Sequence, residues 1–253
     1  MSISVIFVIK NGIKNGYCFW ESLLSSLNFA DELIISEGMS TDRTYDYVKE
    51  FVKRYKNDIK INLFRDEWEQ ESYHGEVISK VTERAIVKAQ CDFVYNLQSD
   101  EIIADETAEY IVKLSKMNDI NSAFFPFYHF LRGWAPVKGG YQEAIRLVRR
   151  GHGKLKGDAW TFCGDDLEPI YQSTNCPKPI YHFAFCFPNQ NIIKDIEHYK
   201  IYTNVVEYKE NMIKASKLVG MELPAYPLGD FNDFPDLARR FIGKSEYTLP
   251  FDL

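Results

Sequence analysis

Two groups of acidic residues stand directly behind apolar runs. "ELIIS" (32–36) runs into "EGMSTD" (37–42), and "FVYNL" (93–97) runs into "QSDEIIADE" (98–106). Carboxylates that a buried segment delivers to its carboxyl end can start the next helix, where acids favour the positive end of the dipole. They can also hold a cation beside phosphates, because hard divalent ions take oxygen ligands. Capping accounts for Ser40, Thr41 and Asp42 and leaves Glu37 unexplained. Asp105 and Glu106 adjoin the periodic run Ala108, Ile111, Val112, so Asp105 is assigned to the helix cap and Asp100 is left for chemistry. Two further candidates lie downstream. His182 sits in the apolar stretch "KPIYHFAF" (178–185), and Asp158 sits in the turn "KGDA" (156–159). A single histidine in such a strand is ordinarily a satisfied core residue, and Gly-Asp turns are common.

The elements that must position these groups follow from periodicity. "ISVIFVI" (3–9) is a continuous β-branched run closed by Asn11-Gly12, which predicts a buried strand. Helical spacing is present over 17–28, 44–55, 76–90 and 105–117, and strands are expected at 32–36, 59–64 and 92–98. This alternation predicts an α/β fold with a mostly parallel, Rossmann-like central sheet and helices on both faces. Ligands of such sheets bind beyond the carboxyl ends of the strands, where both acidic groups fall. The second half reads differently. "SAFFPFYHFLRGW" and "EAIRLVRR" predict antiparallel strands around Gly139-Gly140, 178–185 another strand, 190–218 a long polar helix, and the tail from Glu222 a surface wrap. One domain over 1–253 is expected, with halves at 1–118 and 119–253, the second carrying the C-terminal helix and tail.

At 253 residues a core needs no disulfide or metal for stability. A net charge of −6 disfavours a broad nucleic-acid surface. Five scattered cysteines without a C-x-x-C pair predict free thiols in a cytoplasmic protein rather than a zinc ribbon. The first apolar run stops at Lys10, far short of the roughly twenty residues of a transmembrane segment, and no signal peptide is expected. G-x-x-x-x-G-K-[ST], G-x-S-x-G and H-E-x-x-H do not occur, which disfavours ATPases, α/β-hydrolases and zincins.

"EGMSTDRT" (37–44) and "QSDE" (98–101) resemble the motifs of the family 2 glycosyltransferases of the GT-A fold. Their first rim loop follows D-x-G-S-T-D-G-T, and their metal motif is D-x-D, often followed by Glu. Here Glu37 replaces the first Asp, Met39 and Arg43 replace glycines, and Gln98 replaces the first Asp of the metal motif. A subset with "QADE" after a T-N-x-A stretch is similar to "TERA" (82–85) and "CDFVYNLQSDE" (91–101). The resemblance implies a nucleoside-diphosphate-sugar donor (a UDP-sugar), a saccharide or other hydroxyl acceptor, and inverting transfer assisted by Mn2+ or Mg2+. It implies nucleotide binding by Glu37, Ser40, Asp42, Gln98 and Ser99, and metal binding by Asp100 with His182. Asp158 matches the family's catalytic base best by order, with Asp165, Asp166 and Glu168 as competitors. His74 is a candidate donor-pocket residue, one of Arg146, Arg149 and Arg150 could face phosphate although strand arginines are usually solvated, and Trp134 or Trp160 could stack on a sugar or belong to the core. Two other readings stay open: a saccharide- or nucleotide-binding protein that has lost catalysis, motivated by Gln98 and Met39, and a nucleotidyltransferase, for which "KNGIKNG" is a poor first loop.

Overall fold

A computed structural model describes residues 1–68, 75–131, 135–137, 142–168, 170, 172–186, 237 and 247–253. The helix expected over 190–218, together with His74, Trp134, Gly139-Gly140 and His198, lies outside the described residues. The apolar runs form β1 (Ile3–Ile9), β2 (Glu32–Glu37), β3 (Lys60–Arg65) and β4 (Phe93–Leu97), separated by α1 (Phe19–Ser26), α2 (Thr44–Tyr55) and α3 (Glu76–Ile86). These strands are parallel in the order β3-β2-β1-β4. Parallel strands covered on both faces are apolar throughout, and β1, β2 and β4 are buried at every position. Successive side chains of β1 serve opposite layers. Ile3, Val5, Phe7 and Ile9 pack with α1 and α2, whereas Ile6 and Val8 face the side covered by α3. The helix expected over 76–90 ends at Ile86, and the chain then drops to the start of the sheet, where Glu32 accepts the Gln90 N–H at 2.9 Å.

The chain continues through β5 (Glu101–Ile103), α4 (Asp105–Ser115), β6 (Ser122–Leu131), β7 (Ala135–Val137), β8 (Glu143–Arg149), β9 (Lys154–Leu155), β10 (Phe162–Cys163), β11 (Thr174–Asn175) and β12 (Ile180–Phe185). β8 pairs antiparallel with β4 and β6, and the sheet runs on to β12 and β5. Strand β5 falls between the strand expected at 92–98 and the helix expected at 105–117, where the sequence predicts no element. Its strand character comes from antiparallel pairing with β12, in which Glu101 stands opposite His182. One correction concerns Asp105. Ala104 is the N-cap, its carbonyl accepting the Ala108 N–H, while Asp105 is the first helical residue and takes the Asn28 amide at 2.8 Å.

The described end of the tail packs on α1 and α2. Phe251 meets the Trp20 ring edge-on at 4.9 Å, with the Arg54 guanidinium 4.0 Å from its ring centre. Tyr247 is buried and donates its hydroxyl to Glu21 at 3.0 Å.

Candidate functional site

The rim beyond the parallel strands is assembled from loops that bind one another. Asn11 donates its backbone N–H to Ser40 Oγ at 2.8 Å, and its side-chain oxygen accepts the Thr41 N–H at 2.8 Å. Asp42 takes the N–H groups of Lys14 and Thr44, at 2.8 and 2.9 Å, so it both ties the first loop to the second and holds the entry to α2. Glu37 is fully buried. One of its oxygens accepts the Ser40 N–H at 2.7 Å and the other pairs with Arg65 Nε at 2.9 Å. Ser40, Asp42 and Glu37 thus act as braces of the loop as well as residues near it. Gly38 admits the Trp68 indole, since a Cβ there would lie 2.5 Å from its Nε1. Sequence reasoning did not single out Trp68, whose ring is flanked by Lys10.

Met39 occupies left-handed backbone space with φ +55° and is 47% exposed. Such a conformation costs a non-glycine residue roughly 1–2 kcal/mol, against which glycine carries an entropic cost of roughly 0.5–1 kcal/mol. Met39→Gly is therefore expected to stabilise the fold by about 0.5–1 kcal/mol, read as an upward shift in a chemical-denaturation midpoint.

The second rim group follows β4. Gln98 is fixed on three sides: its carbonyl accepts the Ser22 hydroxyl at 2.9 Å, its N–H meets Glu101 Oε2 at 3.1 Å, and its amide Nε2 donates to the Asp158 carbonyl at 3.1 Å. The last contact brings the "KGDA" turn beside "QSDE", although about sixty residues separate them. The turn is anchored from below as well, because the Ala159 carbonyl accepts both Asn96 Nδ2 and Arg146 Nη1. Asp165, Asp166 and Glu168 fall elsewhere. They are exposed in the turn after β10, at the end of the β9–β10 hairpin opposite Asp158. Ser99 and Asp100 are buried side by side, and the Asp100 carbonyl accepts the Phe183 N–H at 2.8 Å.

Glu101 and Arg146 are both fully buried and form an ion pair. This corrects the expectation of a solvated or phosphate-facing strand arginine at 146. Arg149 and Arg150 lie toward the start of β4, since Arg149 stands opposite Phe93 and Arg150 donates its N–H to the Asp92 carbonyl, at the far end of the strand from Gln98. Burial pushes the Glu101 carboxyl up to about 7, with Arg146 pulling it down and Asp100 adding to the rise.

His182 reaches Asp100 across the β5–β12 ladder. Its Nε2 stands 3.6 Å from Asp100 Oδ1, and both side chains are largely covered. Its Nδ1 lies 2.8 Å from Nδ1 of His129, its register partner on β6. No local signal marks His129, because the pairing spans fifty-three residues. A carboxylate oxygen and an imidazole nitrogen facing each other at this separation fit a divalent cation whose other ligands would be phosphate and water. Among the described residues no three His, Cys, Asp or Glu side chains form a closed metal cage. The five cysteines are free, and burial pushes the Cys18 thiol well up and Cys176 to about 11, so neither is a ready nucleophile. Trp160 is half-buried against the core, and His152 is exposed.

No protein-family model and no curated protein matches the sequence. Among solved structures the chain is similar to the mannosyltransferase PcManGT from Pyrobaculum calidifontis in complex with GDP-Man and Mn2+, with a TM-score of 0.51 and 12% identity, over 89% of this chain and 66% of that one. It also aligns with S. aureus TarS at a TM-score of 0.49 and 14% identity over 88% of this chain, and spans 44% of TarS. A TarS fragment in complex with UDP aligns over 56% of this chain and 38% of its own length, with 22% identity and a TM-score of 0.36. The fold is α/β with a mixed, mostly parallel sheet, of the GT-A type. Among the described residues no helix is long and apolar enough to cross a membrane.

Proposed function

We propose that the protein is a glycosyltransferase of the family 2 kind, moving a sugar from a nucleoside diphosphate to a hydroxyl acceptor with inversion. The observation that supports it is the convergence of Gln98, Asp100, His182 and the Asp158 turn beyond the carboxyl ends of the parallel strands, on the rim shared with the Glu37–Asp42 loop. PcManGT, solved with GDP-Man and Mn2+, has a similar fold. In this reading the 1–118 half holds the donor, and the 119–253 half forms the acceptor cleft.

Asp100 and His182 would hold a Mn2+ or Mg2+ ion, which when bound neutralises charge on the departing diphosphate. The braced loop of Glu37, Ser40 and Asp42 carries the nucleotide, with Gln98 and Ser99 lining the same rim. Asp158, on the opposite side of the sugar, takes the acceptor hydroxyl proton as that oxygen bonds to the anomeric carbon and the bond to the diphosphate oxygen breaks. A second reading is a binding protein without turnover. It is favoured by the internal engagement of the Gln98 amide and of both Glu37 oxygens.

The ground state is tested by thermal shift with UDP, GDP, CDP and dTDP, each with Mn2+ or Mg2+. One nucleotide at a hundredfold excess over its Kd adds about 2.7 kcal/mol, which at this chain length raises the Tm by at least about 5 °C. No shift with any member of the panel would sink the proposal. A shift without sugar transfer to any acceptor would favour the second reading.

A further inference from the structure

Residues 247–253 form a strap that touches both α1 and α2. On α1, Tyr247 donates its hydroxyl to Glu21 at 3.0 Å, and the same oxygen accepts the Trp20 N–H at 3.4 Å. Phe251 bridges the two helices. Its ring meets Trp20 of α1 at 4.9 Å and Tyr47 of α2 at 5.6 Å, and it is covered by the Arg54 guanidinium, which Glu50 holds at 2.8 Å. The Phe251 carbonyl accepts the Tyr47 hydroxyl at 3.3 Å. Two residues on, the Leu253 carbonyl accepts Arg43 Nη2 at 2.7 Å.

Arg43 is where this strap reaches the rim. It is the N-cap of α2, yet its side chain makes no capping hydrogen bond. Arginine offers a helix N-terminus no acceptor. The entry to α2 is held by its neighbours instead: Asp42 takes the Thr44 and Lys14 N–H groups, and the Thr44 hydroxyl accepts the Ile13 N–H at 3.2 Å. The Arg43 side chain goes to the strap. On α1, Ser22 follows Glu21 and binds the Gln98 carbonyl. The strap therefore reaches both rim groups, the Glu37–Asp42 loop through Arg43 and Gln98 through α1.

We infer that Arg43 and Phe251 are positioning residues, which through the strap keep the Glu37–Asp42 loop and Gln98 in the arrangement that receives a nucleotide. The inference rests on the reading of that rim as a nucleotide site, but its first test does not. Coupling between two sites is reciprocal, so a nucleotide must tighten the strap by the factor by which the docked strap strengthens nucleotide binding, ordinarily about 5–150-fold.

Hydrogen–deuterium exchange of the full chain, resolved by peptide, reads the coupling. In Phe251→Ala and in Arg43→Met, amides at 38–44 are expected to exchange at least about fivefold faster, while those of β1 and β4 keep wild-type rates. Phe251→Tyr, which retains the ring, is expected to keep the wild-type loop. With Mn2+ present, the Kd of whichever of UDP, GDP, CDP and dTDP binds should rise at least about fivefold in the first two variants. Saturating the wild type with that nucleotide should slow exchange at 247–253 by a similar factor. Loop exchange unchanged in both variants overturns the inference whether or not any nucleotide binds. Faster exchange throughout, β1 and β4 included, overturns it as well, because the strap would then serve stability alone. A wild-type strap that exchanges at one rate with and without bound nucleotide overturns it too, and needs no variant to fold. Loop exchange that quickens selectively in a protein that binds none of the four supports the positioning role and removes the nucleotide reading instead.

Discussion

Arg146→Met is expected to destabilise the protein by about 3–5 kcal/mol, the usual cost of stripping one partner from a buried ion pair. At this size the loss amounts to roughly 10 °C in Tm. Arg146 has no exposed surface, pairs with Glu101, donates to the Ala159 carbonyl and covers Phe127. Methionine fills part of the volume and replaces none of the charge. Glu101 would then take up a proton, its carboxyl already held at about 7 by burial. The sign of the pH dependence follows from that raised value. Between the ordinary carboxylate range near 4.5 and about 7 the folded state binds more protons than the unfolded state, so stability from this group is complete below that window and lost as pH rises through it. In Arg146→Met the loss should extend to higher pH, because the charge that pulled Glu101 down is gone. The double variant Arg146→Met/Glu101→Leu should recover much of the deficit, as apolar replacements of buried pairs often do. Urea midpoints of the wild type and three variants at pH 5 and pH 8 check all of this. A cost below about 1 kcal/mol for the single change would show that the pair contributes little.

Asp100→Asn should separate stability from activity more sharply than any other change at the rim. Transfer is expected to fall by at least about 10²–10³-fold, the size of losing one electrostatic stabiliser of a developing negative charge. The folded state, by contrast, should hold or gain stability. Asp100 adds to the pressure that raises Glu101, so neutralising it relieves repulsion between neighbouring buried carboxyls. Asparagine keeps the shape, and the backbone carbonyl of residue 100 keeps its bond to Phe183. Rate and Tm measured on the same preparation form the test. Lost activity with a lowered Tm would mean that Asp100 serves the fold rather than the site.

Much of the parallel half was legible because its signals are local. β1 and β4 are unbroken apolar runs, α2 spans Thr44–Tyr55 as its periodicity predicts, and the polar run at 37–42 forms the loop between β2 and α2. What escaped depends on partners far away in the chain. β5 is three residues long and becomes a strand only against β12. Arg146 reads as a solvated strand residue until Glu101 is placed beside it, and His129 reads as one polar residue in an aromatic stretch until β12 lies alongside β6. Glu37 shows the reverse. Its position at a strand end was evident, but the bonds that occupy its oxygens require Arg65 from the neighbouring strand.

The pairing of β1 with β4 also fixes a sequence of events on the ribosome. About ninety residues lie between Ile3 and Phe93, its partner, which at roughly 5–20 residues per second is several seconds of translation. For that interval the first strand has β2 on one side and an apolar edge without its mate on the other. Asp100 waits almost as long for His182, which follows about eighty residues later on the last of the described strands. A nascent chain halted between the two would carry a finished parallel sheet and no imidazole facing its acid, and its open edge would be a natural target for a chaperone.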